Sequence, residues 1–407
     1  MNRRNVSWIY FVRVFMATYL GAVKIASIFS FRKKHQPRKK EALDVLLTGN
    51  FYSDNWIYAQ LRPLVLSQKT KRIRMVAENT VPDLPKVEAI YPPDRLSRWV
   101  GRDVARLLTF VWLGVTTRPD VIGGFHLLVN GMLAILLGRL TGARSLYVCG
   151  GGAREAAGGG YACENKIFGR LGGPDAVIER QLLRAVSQAD IVVARGQRTI
   201  DFFEGRGVNT HFYVVPAGID GSRFKPATVE KEYDLALMGR LTEIKRVDTY
   251  LRTIALLSRE YPRIRAMVIG DGPLRGSLEN LAEELGIVGS VDFLGHRDDV
   301  DLLLPKARIF VLTSDSEGLS QAMIQAMLCG LPAVVSDVGD LKELIEEGEN
   351  GYLIKDRTPE EFAGAIMKIL GSGQDRVQTM SSNARRVALR CDVSRVAETW
   401  DGIFEDG

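Results

Sequence analysis

The sequence predicts an α/β protein built from two doubly wound, parallel-sheet domains facing a cleft. Three observations carry this expectation. The chain has 407 residues, too many for one ordinary core and enough for two domains of about 150 to 200 residues each. Strand-like apolar runs alternate with helical stretches in two successive sets, the pattern of parallel βαβ units. Between the sets, Val215-Pro216-Ala217-Gly218-Ile219-Asp220, followed by Pro226, interrupts the alternation and reads as a linker.

The first set opens with a strand from Leu43 to Thr48 that ends at Gly49, followed by a helix starting near Asn55. Further strands are expected at Arg72 to Ala77, Asp120 to Ile122, Ser145 to Cys149, Ile191 to Ala194 and Phe212 to Val215. The second set runs through Asp234 to Met238, Ala266 to Ile269, Val291 to Leu294, Ile309 to Thr313, Ala333 to Ser336 and Tyr352 to Ile354. From Pro359 onward the chain reads as helices, the last of them amphipathic, with Val396, Trp400, Ile403 and Phe404 on a common face. The limits that follow are 1–42 for a basic, apolar segment, 43–217 and 218–388 for the two domains, and 389–407 for a C-terminal helix available to pack back on the first domain. Two such domains place a ligand outside the carboxyl ends of their strands.

Composition narrows the class. With 46% hydrophobic and 25% charged residues, the chain is neither disordered nor a many-span membrane protein. The net charge of +6 belongs to the first forty residues, which hold ten basic residues and no acid; without them 44 basic residues face 48 acidic ones. A basic segment beside an apolar one suits an anionic membrane surface better than nucleic acid. The four cysteines, Cys149, Cys163, Cys329 and Cys391, are far apart and form no CxxC pair, which argues against a disulfide framework or zinc site and fits a reducing compartment.

From Trp8 to Phe31 the chain is mostly apolar, but Arg13 and Lys24 leave only ten uncharged residues between them. A membrane span needs about twenty. Eleven residues at about 100° each bring the two cations within about 20° of each other on a helix, where they share one polar stripe. Three arrangements follow: a helix lying in the membrane interface, a single anchor whose charges snorkel, or a helix packed on its own domain. In an anchor, the six basic residues from Arg32 to Lys40, against Arg3 and Arg4, keep the rest of the chain on the cytoplasmic face. Lys24 and the lack of a small-x-small site argue against a cleaved signal peptide.

Two segments carry chemistry. After the strand Asp234 to Met238 comes Gly239-Arg240-Leu241-Thr242-Glu243-Ile244-Lys245, which sets two cations at a strand-to-helix turn. Breaking the bond from a sugar to a nucleoside diphosphate builds negative charge on the leaving phosphate, which fixed cations and backbone N–H groups can meet. Arg240 and Lys245 are candidates for that task, or else solvated charges at a helix start. After the apolar strand ending at Thr313 comes Ser314-Asp315-Ser316-Glu317-Gly318-Leu319, leading into a helix that ends near Cys329-Gly330. Gly318 and Leu319 are expected to present N–H groups at the helix N-terminus, and Glu317 to reach sugar hydroxyls.

The order of these pieces resembles the donor domain of the retaining family-four glycosyltransferases, the glycosyl transferase group 1 family. From Asp234 to Ile354 the chain matches the GR-then-K turn, Val268-Ile269-Gly270-Asp271-Gly272-Pro273, Val291-Asp292-Phe293-Leu294-Gly295, the SEG-helix-CG element and Gly351-Tyr352-Leu353-Ile354. The linker with Phe224-Lys225-Pro226 extends the match, and upstream of about Val186 it weakens to architecture. The resemblance implies the GT-B fold of two Rossmann-like domains and a nucleotide-sugar donor, UDP- or GDP-linked, with no cofactor and no metal. It implies that Arg240 and Lys245 hold the diphosphate, Glu317 contacts the donor sugar, the Gly318 and Leu319 N–H groups bind phosphate, and His296 and Arg297 flank the base. One position departs. Where the family has the second acid of its E-x7-E motif, expected at the ribose hydroxyls, this chain has Gln325.

In the first domain, His126 in Gly123-Gly124-Phe125-His126 stands where the family often places a histidine at the reacting sugar; it reads equally as a packed or capping residue. Gly49-Asn50 is either an approach to the donor phosphate or a plain turn. The glycine-rich stretch from Gly150 to Gly173 reads as a mobile acceptor loop or a flexible connector. The family mechanism is transfer with retained anomeric configuration. A catalytically degenerate membrane-bound binding or scaffold protein is the rival, motivated by Gln325; a GT-B epimerase or phosphorylase is a third reading, for which the sequence shows no lysine-linked cofactor signature. Membrane attachment would suit a lipid-linked or envelope glycan acceptor.

Overall fold

Apolar runs of four to seven residues, flanked by glycine and helix-capping residues, form two all-parallel sheets in a computed structural model that describes residues 3–29, 40–51, 54–163, 165 and 167–406. The chain divides into a first unit, Met1–Gly218 with Ser394–Gly407, and a second unit, Ile219–Val393.

In the first unit the elements are α1 (Arg3–Phe29), β1 (Leu43–Thr48), α2 (Asp54–Leu66), β2 (Thr70–Val76), β3 (Val87–Ile90), α3 (Asp94–Val100), α4 (Arg102–Thr116), β4 (Val121–Phe125), α5 (Met132–Thr141), β5 (Arg144–Val148), α6 (Ala176–Val186), β6 (Ile191–Ala194), α7 (Gln197–Glu204) and β7 (His211–Val214). Its seven strands lie in the order β3-β2-β1-β4-β5-β6-β7. The edge strand β3 was not expected from the sequence, because Val-Glu-Ala-Ile is short and only half-buried and carries no apolar run. Strands β4 and β6 are buried along their whole length, as in a sheet covered on both faces.

The second unit holds β8 (Tyr233–Met238), α8 (Val247–Glu260), β9 (Ala266–Ile269), α9 (Arg275–Glu284), β10 (Val291–Gly295), α10 (Val300–Leu303), β11 (Ala307–Leu312), α11 (Gln321–Leu328), β12 (Ala333–Ser336), β13 (Gly351–Ile354), α12 (Pro359–Leu370) and α13 (Gln374–Ala388). Its six strands run β10-β9-β8-β11-β12-β13. The last helix, α14 (Val393–Glu405), buries Val396, Trp400, Ile403 and Phe404 with Ile57, Leu61 and Leu64 of α2 in the first unit's core.

In each sheet the winding direction reverses once, between β1 and β4 and between β8 and β11. Loops leaving the carboxyl ends of these paired strands diverge and leave a crevice, the usual ligand position of an open α/β sheet.

Helix α1 packs on the first unit through Val12, Met16, Tyr19, Val23 and Ala26, which join Leu127, Met132, Ile178 and Leu182 in one core. Arg13 forms an ion pair with Asp175 at 2.7 Å, and the buried Tyr19 hydroxyl donates to the Met132 carbonyl at 2.9 Å. Of the three arrangements open from the sequence, the helix therefore adopts the packed one on this face, since a freestanding span would have to pull these residues from the core. By length and composition α1 is still apolar enough to cross a membrane. The basic residues Arg32, Lys33, Lys34, Arg38 and Lys39 lie outside the described residues, whereas Lys40 pairs with Asp120 at 2.6 Å. All four cysteines are free thiols, and all but Cys163 are buried.

Candidate functional site

In the second unit the two loops at the sheet reversal are stitched together. Asp315 N–H donates to the Ile244 carbonyl at 2.8 Å, and the Thr313 hydroxyl lies 3.1 and 2.8 Å from the Lys245 and Arg246 carbonyls. Lys245 ends a short 3-10 turn, and its stem passes over Gly239 at the end of β8. Its ammonium meets Glu317 Oε1 at 2.6 Å, and the same oxygen accepts the Ser314 hydroxyl at 2.6 Å. Two sequence-predicted residues, Lys245 and Glu317, are thus brought into direct contact, half-buried. Arg240 is exposed on the loop after β8.

Backbone packing sets this loop. Gly270 lies so close beneath it that a Cβ there would come within 2.0 Å of the Gly239 carbonyl oxygen, and Leu241 N–H donates to the Asp271 carbonyl at 2.9 Å. On the other side, Gly339 has φ +52° and its Cβ would lie 2.0 Å from the Glu317 carbonyl oxygen. Only glycine fits there, and it fixes the backbone that carries Glu317.

Some predicted residues lie elsewhere than expected. Helix α11 starts at Gln321 and is capped by Ser320, whose hydroxyl accepts from Met323 N–H, so Gly318 and Leu319 precede the cap in the loop and are not part of the first turn. The cause is the serine side chain, a better N-cap than the backbone of glycine or leucine. Gln325 sits half-buried in the middle of α11. His296 and Arg297, after β10, are exposed and turned to acids of their own loop: Arg297 makes a two-pronged contact with Asp299 at 2.8 and 2.6 Å, and His296 lies 3.6 Å from Asp298. Asp315 faces Arg246 and Arg357 at 3.5 and 3.2 Å, and Asp301 faces Arg223 at 2.6 Å, so these acids serve ion pairs.

In the first unit, Gly49 and His126 leave the carboxyl ends of the neighbouring strands β1 and β4. A Cβ on Gly49 would lie 2.9 Å from Phe125 Cβ, so the glycine permits the two loops to touch. His126 has φ +65°, a backbone state costly for any residue with a Cβ and therefore imposed by its surroundings. Trp56 stacks on its ring at 6.0 Å, and its Nδ1 meets Glu155 Oε1 at 2.8 Å.

Glu155 is fully buried and takes two contacts on each oxygen. Oε1 also accepts Gly151 N–H at 2.5 Å, while Oε2 accepts Leu127 N–H at 2.7 Å and the Tyr147 hydroxyl at 2.9 Å. Burial pushes the Glu155 carboxyl up, but the charge and hydrogen bond of His126 and the two backbone donors outweigh it and hold the group below the usual glutamate range. Facing a carboxylate, a neutral imidazole carries its proton on Nδ1 and leaves Nε2 as the acceptor. The sequence expectation of a mobile loop or flexible connector fails over the part that contains Glu155, because this carboxylate pins Gly151 and because Gly158 N–H donates to Glu179 at 2.6 Å.

Below these loops the buried Arg106 guanidinium donates to Glu78 at 2.9 Å, Thr48 Oγ1 at 2.6 Å and Asn130 Oδ1 at 3.0 Å, and Asn130 in turn donates to the Phe125 carbonyl at 2.8 Å. It braces the ends of β1 and β4. Sequence reasoning missed Arg106, Glu155, Ser314 and Gly339; for Glu155, the signal available was an acid in the loop after β5, the strand that neighbours β4.

Comparison with known proteins bears on the family and the fold. The family model for glycosyl transferases group 1 matches residues 219–387. An uncharacterized glycosyltransferase of Haemophilus influenzae is 31% identical over 181 residues, covering 44% of this chain and 51% of that protein. The lipopolysaccharide core biosynthesis glycosyltransferase LpsE of Rhizobium meliloti is 31% identical over 141 residues, 35% of this chain and 40% of that protein. The chain thus spans about half or less of the length of these relatives. HepE of Anabaena, solved in complex with UDP, superposes with a TM-score of 0.69 at 18% identity, covering 89% of this chain and all of that one.

Proposed function

We propose that the chain, whose residues 219–387 match the glycosyl transferases group 1 model and which has the two parallel-sheet domains of a GT-B glycosyltransferase, moves a hexose-type sugar from a nucleotide-sugar donor to a lipid-linked or envelope glycan acceptor, with retention and without a metal. The observation that carries the donor half of this reading is the contact of Lys245 with Glu317 at 2.6 Å, at the reversal point of the second sheet. With donor present, the ammonium of Lys245 and the guanidinium of Arg240 face the diphosphate, where negative charge grows as the bond from sugar to phosphate breaks. Glu317 is then left to the sugar hydroxyls, the N–H groups of Gly318 and Leu319 to phosphate, Gln325 to the ribose diol, and His296 and Arg297 to the base. In the first unit, Gly49 is assigned to the donor phosphate and His126 to the reacting sugar.

For retention, the acceptor oxygen attacks the face from which phosphate leaves. The new bond joins that oxygen to the anomeric carbon, the bond to phosphate breaks, and the departing phosphate oxygen takes the acceptor's proton. No separate protein base is required. The first donors to test are UDP-sugars, since HepE was solved with UDP and with UDP-glucose. A surface face of the chain bearing residues 1–40 would meet anionic lipid at the cytoplasmic side of the membrane.

The test is a nucleotide-sugar panel with the purified protein. Donor hydrolysis or transfer is expected, with loss of at least about a hundredfold in Arg240→Ala and Lys245→Ala; full activity in both variants would sink the assignment. Gln325 favours a second reading, a non-catalytic binding protein, because a neutral amide holds a diol less strongly than a carboxylate. Gln325→Glu separates the two. Unchanged kinetics show that glutamine is adequate, whereas nucleotide binding that appears only in the variant supports the binding protein.

A further inference from the structure

Helix α1 is apolar on both sides. While Val12, Met16, Tyr19, Val23 and Ala26 enter the core, the opposite stripe of Tyr10, Phe11, Val14, Ile25 and Ile28 stays exposed, Tyr10 and Ile28 at 70%. Two charged residues lie within the stripe's span, both on its flank: Arg13, paired with Asp175, and the exposed Lys24. A second exposed stripe lies far away in the sequence. On α4, Val104, Leu108, Trp112 and Val115 recur at spacings of four, four and three, so they share one face, and Trp112 is 63% exposed. On the short helix before it, Trp99 is 84% exposed. Exposed indole rings are costly on a surface that meets only water.

The topology puts both stripes on one side of the first unit. The connections β3 to β4, β4 to β5, β5 to β6 and β6 to β7 all advance the same way across the sheet. Right-handed crossovers therefore place α4, α5 and α6 on one face, with α2 on the other. Helix α1 packs on α5 and α6, and α4 packs on α5, so both belong to the helical side of the sheet that α5 occupies. Leu140, at the end of α5, is exposed as well.

The charges at the margins have one sign in excess. Arg95, Arg98 and Arg102 stand beside Trp99 against Asp94 and Asp103, Lys24 flanks the α1 stripe, and the segment that contains α1 has no acid in its first forty residues. Apolar stripes with aromatic residues and a cationic margin match the interfacial layer of an anionic membrane: rings sit at headgroup depth and cations meet lipid phosphate.

We propose that this side of the first unit, formed by the outer stripes of α1 and α4 with Trp99, is a monotopic membrane-docking surface for anionic lipid. It extends the membrane part of the reading above from the N-terminal segment to a folded surface made of two separated elements, and it does not depend on donor chemistry.

The test uses the full chain, without donor, in flotation with phosphatidylcholine vesicles containing or lacking phosphatidylglycerol. The wild type is expected to float with the anionic vesicles and to release partly at high salt. The double variant W99S/W112S, which leaves residues 1–40 intact, should bind at least about tenfold more weakly, because interfacial affinity follows the apolar area inserted. Both residues are exposed, so its thermal unfolding should match the wild type, and a brominated lipid should quench tryptophan emission in the wild type more than in the variant. Equal flotation of variant and wild type would overturn the proposal by assigning all binding to the N-terminal segment. A lipid-free dimer of the wild type that falls apart in W99S/W112S would overturn it by assigning the surface to a second copy. Loss of transferase activity with flotation intact would count against the proposed function alone.

Discussion

Replacing Glu155 with glutamine tests the buried node that holds His126. The glutamate places two contacts on each oxygen, from His126 Nδ1 and Gly151 N–H on one and from Leu127 N–H and the Tyr147 hydroxyl on the other. A glutamine has one carbonyl oxygen and one NH2 group. Whichever way it turns, the NH2 faces a backbone N–H, that of Gly151 or that of Leu127, and two donors meet in a site with no water-exposed exit. One buried donor left unpaired costs about 1–3 kcal/mol, and the remaining bonds lose their ionic partner at about 0.5–1 kcal/mol each. Relief of the carboxylate's own burial offsets part of this, so a net loss of about 2–3 kcal/mol is expected.

The molecule supplies its own probe. All five tryptophans, Trp8, Trp56, Trp99, Trp112 and Trp400, belong to the first unit, so intrinsic fluorescence in a urea titration follows that unit alone. The pH dependence gives the sign. Glu155 is held below the ordinary glutamate value of 4.5 in the folded state, so its contribution is complete above that pH and is lost as pH falls through the lower folded value. The gap between wild type and Glu155→Gln should therefore be full at neutral pH and narrow in acid below about 4.5. If the NH2 turns toward His126, Nδ1 must become the acceptor and the tautomer reverses, so kcat/KM should fall about a hundredfold with a displaced pH profile. Coincident urea midpoints at neutral pH, or a gap that widens in acid, would refute the node as described.

Two further outcomes follow from packing. Met16→Ala removes a fully buried side chain from the α1 interface and should cost the first unit about 2–5 kcal/mol in the same titration; a helix that merely anchors the chain would show under about 0.5 kcal/mol. Gly339→Ala drives a Cβ to 2.0 Å from the Glu317 carbonyl oxygen at φ +52°, so the loop must move. The loss of UDP affinity by calorimetry should be at least about tenfold, and wild-type affinity would show that this loop does not position the donor.

What the sequence made legible follows from how far each interaction reaches along the chain. Strands β8 to β13 were readable because each is a local apolar run ended by its own punctuation, and the cations of the β8 loop and Glu317 were readable because each sits just past such a run. The contact of Lys245 with Glu317 spans 72 residues and exists only because β8 and β11 are neighbours in the sheet. The cap on α11 was misjudged by a residue or two, a choice between Ser320 and the glycine before it that local chemistry alone decides weakly. Gly339 could not be singled out, since its value lies in a backbone more than twenty residues away.

His126 and Glu155 show the same limit with a remedy. Nothing in Gly150 to Gly160 marks Glu155 apart from a glycine-rich loop, and flexibility is the natural reading of such composition. Once β4 and β5 are taken as adjacent parallel strands, however, the loops leaving them must lie side by side, and an acid in one becomes the evident partner of a histidine in the other. Helix α1 poses the harder case. Its buried positions 12, 16, 19, 23 and 26 follow a clear four-three spacing, but the opposite stripe is as apolar, so hydrophobicity cannot say which face the core takes. Two polar contacts go with the face that is buried, the ion pair of Arg13 with Asp175 and the hydrogen bond from the Tyr19 hydroxyl to the Met132 carbonyl. With them in place, the core has claimed one apolar face, and the other stays exposed as part of the surface proposed above for lipid.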